Sequence, residues 1–404
     1  MKLDTDVIIT GAGPAGLSAA IKLEELGIDY LLFDRDSEPG EIKPCAGFIP
    51  ISTIQRMSIP RITDQHDITS ARLHFSGREP TTIEFNESLG INVSRGALAR
   101  AMISKTSQSE KHRFGSKISH IEVSDDLCKV SARTNEDEST YTSRLIIDSS
   151  GANPVSQRFI KLRERISNSS MGYGLQYHIE LDGELPHCNT FLYGSKFSPS
   201  GYTWLFPRGK IMVFGTGGLV EVVRKNDCKT HEYLDQILRE VEPYSSELSS
   251  GTIVKKDSAL MPLAGIVQPS FGKRIMLAGD AAGHCSPISG EGIHYSMVGG
   301  LIAAETAASC IERNDFSDKR LSTYEKNWMK EMGSDLKWGY WLQRRLMKPG
   351  GSGSNSGTSG WGKSGFIDSE KSLGIIARML MGDKSVRSSI LAVAPYYLKS
   401  KLSR

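Results

Sequence analysis

Gly11, Gly13 and Gly16 stand in the pattern G-x-G-x-x-G, within Gly11-Ala12-Gly13-Pro14-Ala15-Gly16. That spacing suits the holding of a pyrophosphate. Gly11 permits a tight turn, Gly13 lets backbone N–H groups approach the phosphates, and Gly16 lets the following helix lie close to a sheet. Asp34 stands eighteen residues beyond Gly16, where a carboxylate can grip a ribose hydroxyl. To position these groups the chain needs a strand, a helix and a second strand. Residues 6–10 (DVIIT) read as the first strand, a helix runs to about Gly27, and residues 30–33 form a strand closing on Asp34 and Arg35. The N-terminus of that helix adds partial positive charge at the phosphates. Together these features predict a dinucleotide site rather than a chance glycine-rich turn.

A second acid follows a later hydrophobic run. Residues 274–278 (RIMLA) read as a strand, Gly279-Asp280-Ala281-Ala282-Gly283 follows, and Ser289-Gly290-Glu291-Gly292-Ile293 leads into a helix over about 294–313. This layout suits further contacts to the same extended cofactor. The alternative is a plain loop with Asp280 as a helix cap. Arg95 heads a helix expected over 96–106, from which it would turn inward to phosphate or ribose. The loop 43–50 (KPCAGFIP) sets small residues beside Cys45, fitting either a flat ligand or an ordinary Pro/Gly turn.

The rest of the chain supplies a second region. Residues 71–75 and 81–85 alternate about Ser76-Gly77 as a hairpin. Residues 117–123, 128–133 and 139–142 read as a short antiparallel meander, with 135–138 as a turn, and 145–148 as a buried strand. From 171 to 262 alternating segments (173–179, 190–193, 202–206, 211–215) predict one antiparallel sheet, crossed by an amphipathic helix over 230–241. Helices are expected over 324–348, 367–381 and 384–401, with a flexible Gly/Ser-rich linker at 349–365.

Composition narrows the function classes. The 404 residues, 39% hydrophobic, can bury a large core in more than one domain. A net charge of +3 gives no reason to expect nucleic acid. The six cysteines (Cys45, Cys128, Cys188, Cys228, Cys285, Cys310) form no C-x-x-C pair, so no metal or iron–sulfur site is expected and the reducing cytoplasm is. No leader is expected ahead of the fingerprint, and no apolar run approaches the roughly 20 residues that span a bilayer.

GAGPAG with Asp34, the helix-leading Arg95 and GDAAGHCSPISGEGI resemble the FAD-binding segments of the flavoprotein hydroxylase superfamily. Within it, KPCAGFIP, SPSGYTWLFP (198–207) and GDAAG…SGEGI resemble the geranylgeranyl reductase family over about residues 3–330. The Y-x-W-x-F-P element, 202–207, is the most specific part. The resemblance implies an α/β (α+β) fold. Its Rossmann-like FAD-binding domain would comprise 1–65, 93–165 and 263–330. An antiparallel-sheet substrate domain would comprise 66–92 and 166–262, and a C-terminal helical region 331–404.

The resemblance also implies roles. Gly11, Gly13, Pro14, Ala15 and Gly16 would hold the FAD pyrophosphate, with Asp34 and Arg35 at the adenosine ribose. Cys45, Ala46 and Phe48 would lie near the flavin, Arg95 toward the pyrophosphate and ribityl region, and Ile118 at the adenine. Gly279 and Asp280 would meet the ribityl chain, and Gly292 and Ile293 the isoalloxazine ring. Three features depart from the pattern. Ser150-Gly151 stands where the hydroxylases have Asp-Gly, Ala46 replaces a glycine, and Glu291 follows the chlorophyll branch rather than the archaeal-lipid members.

The implied activity is saturation of prenyl double bonds in archaeal membrane lipids or, as alternatives, in chlorophyll or menaquinone side chains. Electrons would come from reduced ferredoxin or NAD(P)H. Reduced flavin delivers hydride, and an isolated alkene then needs a proton on its other carbon. Cys45 is a candidate proton donor or flavin-tuning thiol, and equally a small packing residue. Tyr202, Trp204 and Phe206 alternate on one strand, so they share a face and would wall an apolar tunnel or fill ordinary sheet core. An FAD-dependent monooxygenase and a non-catalytic flavin-bearing lipid carrier are the competing readings. Trp338, Tyr340 and Trp341 beside Arg344, Arg345 and Lys348 suggest peripheral membrane contact, or a helical roof over the tunnel.

Overall fold

The computed structural model of the chain describes residues 3–107, 109–225, 229–346, 367 and 369–402. The linker expected at 349–365 lies outside the described residues. A six-stranded sheet runs in the order Phe271–Gly272, Ile275–Leu277, Leu145–Asp148, Val7–Thr10, Tyr30–Phe33, His112–Arg113. Its central strands are parallel, with Val7 opposite both Leu145 and Tyr30. Every residue of Val7–Thr10 is buried, as a strand covered on both faces requires. Val7 and Ile9 pack into one core with the helices Pro14–Glu25 and Ile293–Arg313. Ile8, between them, packs into another core with Ile118, Ile121 and Val130 of the meander. Two-residue alternation thus sorts one strand's side chains into two layers.

The meander is Ser116–Val123, Cys128–Thr134 and Asp137–Ser143. Its turn is tighter than the expected 135–138. Thr134 pairs with Asp137, and Asn135 takes φ +55°, leaving Asn135-Glu136 as a two-residue hairpin loop.

The second large sheet has seven strands, in the order Thr252–Pro262, Met171–Glu180, Ile211–Leu219, Tyr202–Arg208, Cys188–Tyr193, Ser70–Phe75, Thr81–Glu84. It is not wholly antiparallel as expected. Cys188–Tyr193 runs parallel to Ser70–Phe75, because the hairpin 70–84 comes from far upstream and adds to an existing edge. The strand Thr252–Pro262 was not anticipated. It is a largely exposed edge strand, so its TIVKKDSALMP carries no clear alternation.

One face of this sheet packs Tyr177, Ile179, Leu205 and Phe214 against Leu234 and Ile237 of the helix Thr230–Glu240. The other face carries Phe191, Tyr193, Tyr202, Trp204 and Phe206, partly roofed by the C-terminal helices. The helix expected from 324 begins earlier, as Asp318–Leu346. It is followed among the described residues by Glu370–Leu380 and Val386–Leu402.

Candidate functional site

The fingerprint turn is built as its residue types require. Gly11 takes φ +98°, and a Cβ there would stand 2.5 Å from the Ser149 carbonyl oxygen. A Cβ on Gly16 would meet the Gly11 carbonyl and lie 2.6 Å from Ser149 Oγ. Gly16 therefore packs the helix onto the turn and, alone among the expected cofactor residues, does not line the cavity described below. Asp34 Oδ2 accepts from the Ala12 N–H at 2.6 Å, tying the second strand to the turn. A Cβ on Gly13 would meet only an Arg95 terminal nitrogen, at 3.8 Å, so an arginine faces the turn across open space. Ser94 caps the Arg95–Ile103 helix by accepting from the Ala97 N–H at 3.0 Å, which holds Arg95 in its first turn.

These groups open into one cavity of about 680 Å³, bounded by both large sheets. Gly11, Gly13, Pro14, Ala15, Asp34, Arg35, Arg95 and Ile118 line its first part. Cys45, Ala46, Phe48, Gly279, Asp280, Gly292 and Ile293 line its middle, and Tyr202, Trp204 and Phe206 line the far wall. Phe48 and Phe206 also belong to the apolar core behind that wall. Every expected site residue except Gly16 thus meets in a single space.

Several contributors were not anticipated as site residues. Phe191, Gln176 and Leu380 line the cavity, as does the edge segment 258–261. Gln176 was hidden because only strand pairing reveals it. It sits opposite both Gly215 and Asp257 and shares the cavity face of the sheet with Gly174. Leu380 ends a C-terminal helix that packs on the strands Ser70–Phe75 and Thr81–Glu84.

The electrostatics of the cavity centre follow from burial. Burial pushes the Asp280 carboxyl up to about 6, with Arg95 pulling the other way. Glu291 is pushed up to about 7 by burial, against backbone N–H groups of His294 and Ile293 that favour its charged form. Its Oε1 accepts from the His294 N–H at 2.6 Å, capping the Ile293–Arg313 helix. Desolvation outweighs the cap, so this carboxyl is largely protonated below neutral pH. Tyr202 donates to the Ser289 carbonyl, and burial raises its phenol. Burial pulls the Arg208 guanidinium down from its ordinary value, opposed first by the Cys45 sulfur and then by Asp257. Cys45 itself is a half-buried free thiol.

The Ser150 departure has a structural account. Asp148 is fully buried and accepts from Thr10 Oγ1 at 3.0 Å, Ser150 N–H at 3.0 Å and Ser156 N–H at 2.8 Å. Ser150 Oγ also donates to Asp148, at 2.5 Å, and accepts from the Val155 N–H at 2.8 Å. The hydroxyl staples the loop 149–155 around a buried carboxylate.

A family model described as "FAD binding domain" matches residues 4–328. The chain belongs to the FAD binding domain family. Its glycine turn, helix N-terminus, Arg95 and the open face of Gly13 fit the pyrophosphate of that cofactor. Asp280, whose carboxylate faces the cavity beside Gly292, fits a polyol chain. Among curated proteins, a digeranylgeranylglycerophospholipid reductase of Methanococcus vannielii is 26% identical over 84% of this chain and 87% of its own. A geranylgeranyl diphosphate reductase of Rhodobacter capsulatus is 29% identical over 82% of each chain. Among solved structures, a geranylgeranyl bacteriochlorophyll reductase-like protein of Thermoplasma acidophilum shares the fold. It has a TM-score of 0.79 at 18% identity, over 98% of both chains. No group of His, Cys, Asp or Glu suited to a metal ion occurs among the described residues. No described helix is long and apolar enough to cross a membrane.

Proposed function

We propose that the protein is an FAD-dependent reductase that saturates C=C bonds of prenyl chains in membrane-lipid biosynthesis. The observation that carries this is the single cavity in which Cys45, Asp280 and Gly292 face Tyr202, Trp204 and Phe206. A flavin held by the first group would abut an apolar, aromatic-walled space of the kind a prenyl chain fills. Bound FAD, once reduced, supplies a hydride.

The chain's own residues do the rest. Trp204 and its neighbours hold the alkene against the cofactor, and Leu380 and the C-terminal helices keep water from that end. The carbon that does not take the hydride needs a proton, and Cys45 and Glu291 are among the protic groups that line the cavity. Glu291, whose carboxyl burial raises to about 7, keeps its proton below neutral pH and donates it, while Cys45 would face the flavin. Reduced ferredoxin or NAD(P)H provides the electrons.

A prenyl lipid is nearly insoluble, so collection at a membrane surface fits the exposed Trp341, stacked under Arg345 at 5.7 Å, and the exposed Leu391. Mass spectrometry of lipids from cells expressing the protein tests the activity. Prenyl lipids gaining two hydrogens per saturated bond are expected, and an unchanged lipid profile with FAD-loaded protein present would count against it.

A further inference from the structure

Beside the main cavity lies a second one of about 440 Å³, with Ala152, Asn153, Arg158 and Leu260 in common. Arg163, Arg165 and Arg224 complete a ring of four arginines, and no acid is among its described lining residues. Arg163 is only 8% exposed. Its terminal nitrogens donate to the Ala281 carbonyl at 2.6 Å and the Glu164 carbonyl at 3.2 Å, while its Nε has no partner among the described residues. Arg158, Arg165 and Arg224 are exposed and have no side-chain partner among the described residues. The neighbouring carboxylate of Glu164 is occupied by Lys161. Four like charges around one space repel, and guanidinium groups match phosphate oxygens in bidentate geometry, so an anion relieves the arrangement.

We propose that this pocket binds the phosphate or diphosphate end of the prenyl substrate, whose chain passes the apolar lip of Leu260 into the main cavity. The proposal rests on the prenyl-reductase reading and deepens it. An aromatic-walled cavity joined to an arginine ring has the shape and charge of an amphiphile with an anionic head. Anchoring the head fixes how far the chain reaches along the cavity, and so which double bond meets the cofactor.

The test measures equilibrium binding to the FAD-loaded protein by titration calorimetry, using inorganic diphosphate, geranylgeranyl diphosphate, geranylgeraniol and NADP+. Wild type is compared with Arg165→Gln/Arg224→Gln and with Arg158→Gln, all at exposed positions where folding is not at stake. Inorganic diphosphate and geranylgeranyl diphosphate should bind at least tenfold more weakly to the double variant, with geranylgeraniol unchanged. Added salt should weaken only the phosphorylated ligands. A loss confined to NADP+ would give the pocket to the nucleotide and overturn the proposal, as would unchanged binding of all four. Failure of geranylgeraniol to bind wild type would count against the prenyl reading itself. The inorganic diphosphate arm would still decide whether the arginine ring is an anion site.

Discussion

Trp204 lies over Gly215, its cross-strand partner, so closely that a Cβ on the glycine would stand 2.5 Å from the indole Cε2. Gly174, one strand further on, would bring a Cβ to 3.3 Å from the same ring. The indole rests on a bed of missing side chains, which fixes its plane along the cavity wall. Trp204→Ala should lower kcat/KM for prenyl substrates at least tenfold with FAD content unchanged, measured by absorbance of the purified protein. Gly215→Ala should do nearly the same by displacing the ring. Loss of FAD in either variant would show that Trp204 is sheet core.

Asp280 faces the cavity beside Gly292, whose Cβ would lie 3.5 Å from Asp280 Oδ1. Asp280→Ala should weaken FAD retention by about tenfold or more, since a hydrogen bond to a charged group contributes roughly 1.5–3 kcal/mol. Equilibrium dialysis of the stripped protein against FAD checks this. Unchanged affinity would remove Asp280 from the cofactor site.

Glu291 makes a signed pH prediction. With its carboxyl at about 7 in the folded protein and about 4.5 unfolded, the folded state binds the proton more tightly. Its stabilising contribution is therefore complete below about 4.5 and lost as pH rises through about 7, on the order of 2–3 kcal/mol. Turnover should fall over the same upper range as the donor ionises. Glu291→Gln should flatten the fall in Tm between pH 5 and 8 and reduce turnover with loss of the alkaline limb. Cys45→Ala should leave that limb in place. If Cys45→Ala abolishes the limb and Glu291→Gln does not, the proton comes from the thiol.

His284 governs the acid side. It is fully buried against Trp328, its ring nitrogens have no partner among the described residues, and burial pulls it down to about 3. A histidine depressed in the folded state costs stability as pH falls below its unfolded value of about 6.5, because only the unfolded chain takes the proton. His284→Gln should shift the acid-unfolding midpoint to lower pH relative to its own stability at pH 7, read by circular dichroism. An unchanged midpoint would mean that the ring finds a partner in solution.

The dinucleotide unit was legible because its physics is local. Gly11, Gly16 and Asp34 act within one strand–turn–helix–strand segment, and hydrophobic runs mark the strands. Tyr202, Trp204 and Phe206 could be placed on one face by alternation alone. Gln176 and the Gly174–Gly215 bed could not, since strand pairing between distant segments creates them, nor could the arginine ring, which brings the segment 158–165 to the distant helix Val220–Lys225. The edge strand Thr252–Pro262 escaped because it is solvated over most of its length, where no apolar pattern is enforced. The parallel pairing of Ser70–Phe75 with Cys188–Tyr193 was equally invisible, being a matter of which edge was open.

The central claim is tested most directly by reducing the FAD-loaded protein anaerobically and mixing it with a geranylgeranyl lipid while following flavin absorbance. The account predicts that the oxidised flavin spectrum returns without oxygen, at a rate that Trp204→Ala lowers, with one double bond saturated per flavin reoxidised. A flavin that stays reduced until oxygen is admitted would contradict the account and indicate a monooxygenase. A flavin that reoxidises in neither condition would leave only a carrier.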